Sequence, residues 1–382
     1  MTLPDPEADA RDASARLTRL IVREIAGAGG WIPFSRYMEL ALYAPGLGYY
    51  GGGSAKFGAA GDFITAPEMS PVFAQALAAQ VEEVMAQSAP AILEAGAGSG
   101  ALAVDLLSEL ERRGSLPRRY AILELSGELA ARQREALASR VPHLIERVAW
   151  LDALPESWEG VVLGNELLDA MPVEILEWEP GALRVRGIVA EEGDKLNWQS
   201  RPAEESLCAA AAELPVAPPY VSEIGLAGQS WVAAWGHRLK RGAVLLIDYG
   251  FPRREYYHEQ RNQGTLMCHY RRHSHADPLW WPGLCDITAH VDFTAVAEAG
   301  FAAGLDVLGY TSQGSFLFNC GILQALQNHA PPGSRDYLTA ARSVDKLTNP
   351  AEMGELFKVI ALGRGLSGPL IGFRRGDRLH AL

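Results

Sequence analysis

Two hydrophobic periods share this chain, and they occupy different stretches. From residue 91 onward, short apolar runs recur: AILEAG, RYAILEL, VAWLD and GVVLGNE. Between them lie stretches with apolar residues three and four apart, which predict helices over Ala101–Arg113 and Ser126–Ser139. The run GAVLLIDYG reads as a further buried strand, DFTAVAEAGFAAG as a helix, and LDVLGYTSQGSFL and LFKVIALGRG as the last strands. Strands alternating with helices imply a parallel sheet covered on both faces. Ligands of such sheets bind outside the carboxyl ends of the strands.

Elsewhere the rhythm differs. Residues 1–15 are polar and acidic and are expected to be disordered. Helical periods follow over Arg16–Ala28, from Phe34, and over Pro71–Gln87. Residues 44–71 form a long glycine- and aromatic-rich loop, of the length that is usually functional. From Val173 the pattern alternates with turns at Pro180-Gly181 and Glu192-Gly193, predicting an antiparallel meander. Helix-like runs over Ala203–Leu214 and Leu226–Lys240 come next, and 251–290 reads as an irregular insertion. The predicted organisation is a disordered 1–15, N-terminal helices and loop over 16–90, a core over 91–172 and 242–382, and an inserted segment over 173–241.

The strand ends carry the candidate chemistry. Gly96, Gly98 and Gly100 follow the first strand, a spacing that suits both dinucleotides and S-adenosylmethionine. Glu124 ends the second strand, where an acid accepts both ribose hydroxyls of either cofactor. Glu94 discriminates between them. A carboxylate beside the turn repels a pyrophosphate but suits the ammonium and sulfonium of S-adenosylmethionine. Asp152 is placed to accept the adenine amine, with Leu151 or Ala153 against the ring. Asn165 and Glu166 end the fourth strand, at the mouth of the expected pocket. Asp62 and Thr65, in the early loop, are expected to cover the methionine end of the cofactor. The set favours S-adenosylmethionine over a dinucleotide.

Charge and composition narrow the remaining choices. The 382 residues are 48% hydrophobic and 21% charged with a net charge of -12, which speaks against a general nucleic-acid binder. No apolar run reaches the ~18 residues of a membrane span. The N-terminal stretch lacks a secretory core, and the four cysteines show no paired spacing, so a cytoplasmic protein with free thiols is expected. His269, His273 and His275 crowd CHYRRHSH, but no carboxylate-rich companion has metal-site spacing, so no metal is assigned.

The stretches GLGYYGGGSAKFGAAGDFITAPEMSPVFAQ, ILEAGAGSGALAVDLL, GNELLDAMPVEIL, LIDYGF and GTLMCHYRRHSHADPLWWPGLCDITAHVDF resemble the MidA-like family of class I methyltransferases, from about residue 16 to the C-terminus. Ala95 stands where the commoner cofactor motif has a larger residue. The resemblance implies an α/β, doubly wound, Rossmann-like sheet of seven strands with an antiparallel last strand. It also implies a protein substrate, methylated on arginine; the mitochondrial relative acts on a complex I subunit. A guanidinium calls for carboxylates that accept paired N–H bonds. Glu166 and Asp169, three apart, would share one side if ELLDA began a helical turn, with Asn165 holding the loop or the cofactor. Methylation of a small molecule or of another residue, and a non-catalytic assembly chaperone that keeps the cofactor fold, are the competing readings.

Overall fold

The computed structural model describes residues 3–52 and 65–382. Asp62 and the central part of the early loop lie outside them. The chain divides into two compact units, and chain order does not follow them. The first comprises 1–63, 168–229 and 251–292; the second comprises 64–167, 230–250 and 293–382. The N-terminal helices, the meander and the 251–290 insertion, read from sequence as separate segments, thus belong to one unit.

The second unit is built on a parallel-rich sheet. Along its main path lie β1 (Ala91–Ala95), β2 (Arg119–Leu123), β3 (Val148–Leu151), β4 (Trp158–Asn165), β5 (Leu239–Phe251), β6 (Asp306–Ser312) and β7 (Phe357–Arg364). They follow the order β3-β2-β1-β4-β5-β7-β6. Pairing is parallel from β3 to β5, whereas β7 runs antiparallel to both β5 and β6. The reversal of direction in strand order falls at β1 and β4, so the residues that follow these two strands flank the switch point. Helices α1 (Pro71–Gln87), α2 (Ala101–Arg112) and α3 (Gly127–Arg140) cover the sheet with a continuous apolar core that includes Phe73, Leu77, Leu106, Tyr120, Ile122 and Val161. The Ser126 hydroxyl caps α3 by accepting from the Leu129 amide, as the sequence SGEL suggests. The apolar run LDVLGYTSQGSFL is strand only to Ser312. The Ser312 hydroxyl then accepts from the Ser315 amide and opens the helix Gln313–Asn319.

In the first unit the meander forms as alternation predicts. Strands Glu174–Glu179, Ala182–Glu191 and Lys195–Pro202 pair antiparallel in sequence order, and Tyr220–Ile224 joins beside the first of them. The helices Ala8–Gly27 and Phe34–Tyr43 contribute Leu17, Ile21, Ile25, Phe34, Tyr37 and Met38 to one core with Ile175 and Ile188. Residues 8–15, expected to be disordered, form the first two turns of the leading helix. Ser14 is buried there and donates to the Pro282 carbonyl at 2.8 Å, an anchor that composition does not reveal. The 251–290 segment is more regular than its sequence suggests. Strands Met267–Tyr270, His273–His275 and Asp286–Thr288 form a small antiparallel sheet. Buried Glu223 ties this segment down by accepting from the Thr265 and Leu266 amides and the Tyr256 hydroxyl. Among the described residues no helix is long and apolar enough to cross a membrane.

Candidate active site

The turn after β1 is made by three residues with left-handed backbone: Gly96 (φ 69°), Gly98 (φ 52°) and Gly100 (φ 82°). Only glycine adopts this conformation without strain. Space is short as well. A Cβ on Gly100 would lie 3.3 Å from the Gln133 Cα, and one on Gly96 would lie 3.1 Å from the Leu167 side chain. Gln133, on α3 and fully buried, organises the turn. Its amide nitrogen donates to the Gly98 carbonyl at 3.0 Å and to Glu124 Oε2 at 2.9 Å, while its oxygen accepts from Trp150 Nε1 at 3.0 Å. One side chain thereby joins the glycine turn, the acid after β2 and strand β3. Sequence reading overlooked it. The available signal is a polar residue on the apolar stripe of Leu129, Ala130 and Leu137.

Glu124 accepts from the Ser126 amide through Oε1 and from Gln133 through Oε2, so each oxygen keeps a lone pair for a ribose hydroxyl. Burial raises its pKa, and those hydrogen bonds oppose the rise. Glu94 is more deeply enclosed, at 3% exposure, and accepts from the Tyr120 hydroxyl at 2.5 Å. Burial pushes its pKa up to about 7 against the lowering effect of that bond, with Glu124 adding a smaller upward push. A carboxylate held at this poise favours a cation beside it. Leu151 ends β3 half-buried, and its carbonyl accepts from the Glu124 amide at 3.0 Å. Asp152 is exposed directly after it, and Leu125, after Glu124, is 76% exposed and offers apolar surface to a ring.

Beyond β4 the chain turns sharply. Glu166 has φ 50°, a conformation that costs a non-glycine residue energy and marks the segment. Its Oε1 accepts from the Ala66 amide at 3.3 Å and the Asn165 side-chain amide at 3.1 Å. Its own amide donates to the Ile247 carbonyl, and buried Asp248, near the end of β5, accepts from the Leu167 amide at 3.1 Å. Asp248 is a second residue that strand-end reasoning missed. Thr65, half-buried, opens the short helix Ala66–Met69. The Asn165 side-chain oxygen is buried and has no hydrogen-bond partner among the described residues. Such an atom calls for a donor from a ligand. The helical turn expected over ELLDA does not form: 166–172 is a chain of bends and turns. Glu166 and Asp169 therefore share no helix face, and they fall in different units. The Asp248 carboxylate and the Ile247 carbonyl hold this stretch by its amides instead. Asp169 is buried in the first unit, where its carbonyl accepts from the Ala289 amide at 3.0 Å.

A glycine turn, an acid for a ribose, a buried acid poised for a cation and an unsatisfied amide oxygen at the next strand end fit S-adenosylmethionine. The parallel-rich sheet with its antiparallel β7 is that of the class I methyltransferases. Residues 72–311 match the model of S-adenosyl-L-methionine-dependent methyltransferases, methyltransferase family 28, and the chain belongs to this MidA-like family. Its cofactor is S-adenosylmethionine. The chain is similar over its whole length to a Burkholderia thailandensis protein whose crystal structure holds S-adenosyl-homocysteine, with 51% identity, full coverage of both chains and a TM-score of 0.96. A second, native structure from that organism gives 50% identity and a TM-score of 0.93, again with full coverage of both chains. Among curated relatives, the Drosophila melanogaster protein arginine methyltransferase NDUFAF7 homolog is 26% identical over 97% of this chain and 91% of its own length. The human protein arginine methyltransferase NDUFAF7 is 30% identical over 87% of this chain and 80% of its own.

Proposed function

We propose that this methyltransferase modifies an arginine side chain of a protein substrate, with a respiratory-complex subunit as the leading candidate. The observation that carries the reading is the breadth of the similarity to protein arginine methyltransferases. It extends through the first unit as well as the cofactor fold, covering 97% of the chain for the Drosophila relative. The strand path β3-β2-β1-β4-β5-β7-β6 supports the finer reading of a seven-stranded class I core. When bound, S-adenosylmethionine supplies an electrophilic methyl group on a sulfonium. The chain supplies position and charge. Glu94 faces the cationic end, Glu124 holds the ribose, and Asp152 takes the adenine amine. Asn165 and Glu166 serve the substrate side, where a carboxylate holds the guanidinium and favours electron density on the attacking nitrogen.

The test is methylation of extract from a strain lacking the gene, using the purified enzyme and isotopically labelled S-adenosylmethionine, followed by mass spectrometry of labelled peptides. Methylated arginine is the expected product. Label confined to small molecules, or to another residue type, overturns the arginine reading while leaving the methyltransferase family intact.

A further inference from the structure

A tyrosine hydroxyl stands in the apolar core of the second unit, at a strand position where phenylalanine would satisfy the packing. Tyr120 of β2 pairs with Ile92 of β1, and Ile122 pairs with Glu94. Alternation puts Tyr120 and Ile122 on one face of the sheet, together with Ile92 and Glu94. Tyr120, Ile122 and Ile92 are all 0% exposed and belong to one core. Two residues of strand rise by about 7 Å, which a tyrosine side chain spans. The ring therefore runs along the sheet toward the glycine turn, and its hydroxyl donates to Glu94 Oε2 at 2.5 Å.

The surroundings of the carboxyl give this bond its weight. The strand partners of Glu94 are Ile122 on β2 and Leu163 on β4, and neither side chain brings a charge or a donor. Acids of the covering helices are engaged elsewhere: Asp105 with Arg140, Glu109 with Arg113 and Glu83 with Arg374. Besides burial, the groups that act on Glu94 are Tyr120, whose bond lowers its pKa, and Glu124, whose charge raises it. Among the described residues no lysine, arginine or histidine pairs with Glu94, and Oε1 accepts no hydrogen bond. Burial, followed by the charge of Glu94, raises the pKa of Tyr120 well above the ordinary value, so its hydroxyl keeps the proton it donates.

We infer that Tyr120 is a positioning residue for the cofactor: its hydroxyl orients the Glu94 carboxyl and stabilises the negative charge that meets the cationic end of S-adenosylmethionine. This rests on Glu94 facing that end. A donor to the ionised carboxyl favours that form over the protonated one, and burial limits what water can do in its place. Without the hydroxyl, the carboxyl holds its proton to higher pH. Cofactor binding must then expel that proton, so affinity falls near neutrality and recovers as pH rises. A residue that only packs would give a loss that does not depend on pH.

Calorimetry of S-adenosylmethionine binding between pH 6 and 9 compares wild type, Tyr120→Phe, Glu94→Gln and the double variant. Each variant is read against wild type at the same pH, so that titration of the cofactor's own ammonium cancels. Tyr120→Phe is expected to bind about fivefold more weakly at pH 7 and within about twofold of wild type at pH 9, the result of moving the carboxyl midpoint up by about one pH unit. Adding Tyr120→Phe to Glu94→Gln should change affinity by less than about twofold at any pH. Denaturant titration without cofactor gives a second readout. The stabilisation from Glu94, lost in wild type as pH rises through about 7, should persist to about pH 8 in Tyr120→Phe. A Tyr120→Phe profile that matches wild type, or a loss that is equal at all pH values or survives in the Glu94→Gln background, overturns the assignment. Wild-type affinity of Glu94→Gln at every pH removes Glu94 from the cofactor and takes the inference about Tyr120 with it. Should Tyr120→Phe fail to fold, 3-fluorotyrosine placed at position 120 decides. Fluorine beside the hydroxyl makes it a stronger donor, so the midpoint should move down, and an unmoved midpoint overturns the assignment.

Discussion

The glycine turn of the second unit and the cluster of the first in which the Tyr50 hydroxyl donates to Asp286, with Thr288 two residues on, are both gathered around buried carboxylates, but they are satisfied to different degrees. In the turn, all three polar positions of the Gln133 amide are used, and both oxygens of Glu124 already accept a bond. That arrangement is rigid before any ligand arrives, and binding adds to it. In the cluster, the Thr288 hydroxyl is buried without a partner among the described residues. The first region is prepared for a fixed cofactor. In the second, the hydrogen-bonding capacity of that hydroxyl is unused among the described residues.

Substitutions can separate the two regions. The largest effect is expected from Glu124→Ala. It removes two charge-assisted bonds to the ribose, each worth roughly 1.5–3 kcal/mol before water compensates, so cofactor affinity should drop about a hundredfold by calorimetry. Unchanged affinity would show that Glu124 does not meet the cofactor and would erase the contrast drawn above.

Next comes Glu94, whose pKa of about 7 in the folded protein exceeds the ordinary carboxylate value. The cofactor's cations favour the ionised form, so affinity should fall by about tenfold per pH unit below pH 7. The Glu94→Gln variant should show a flat profile. Stability responds in the opposite sense. Between pH 4.5 and 7 the folded protein binds more protons than the unfolded chain, so this group's stabilisation is fully present at low pH and lost as pH rises through 7. Without cofactor, Glu94→Gln should therefore be more stable than wild type above pH 7, by up to about 3 kcal/mol in denaturant titration. Equal stabilities at pH 8 would show that Glu94 is better solvated than its burial indicates.

Glu166→Gln is expected to reduce methylation by about tenfold with little change in cofactor affinity, if its charge serves the substrate. A loss of affinity alone would assign Glu166 to the cofactor side, in keeping with its bonds to Ala66 and Asn165. The smallest effect is expected at exposed Asp152, where Asp152→Ala should weaken cofactor binding only about threefold to fivefold, because water competes for the same amine.

The two regions were also unequally legible in the sequence. Glu94, Gly96, Glu124 and Asn165 could be found because a parallel sheet delivers successive strand ends to one edge, so that position along the chain stands in for position in space. Gln133 escaped because it acts from within a helix, and helix interiors are ordinarily read for packing. Asp286 and Tyr50 escaped because 236 residues separate them along the chain. Among the described residues, the pairing of His269 with Asp286 and the hook of 44–50 onto the helix before it help bring them to one place. The same limit explains residues 8–15, whose polar composition suggests disorder until the Ser14 hydroxyl finds Pro282.

Gln133 has a further consequence, in the statistics of related sequences. Its amide must donate twice and accept once in a single plane, between Gly98, Glu124 and Trp150. Glutamate at this position would lose both donors and set a second negative charge beside Glu124. Leucine would fill the space and leave all three partners unanswered. The four positions therefore carry joint information: a chain that changes the acid after β2 removes one of the three partners that call for glutamine here, and one that keeps the acid keeps all three. Glutamine 33 residues after the last glycine of the turn is then a marker for an intact ribose site, readable where the glycines alone are ambiguous.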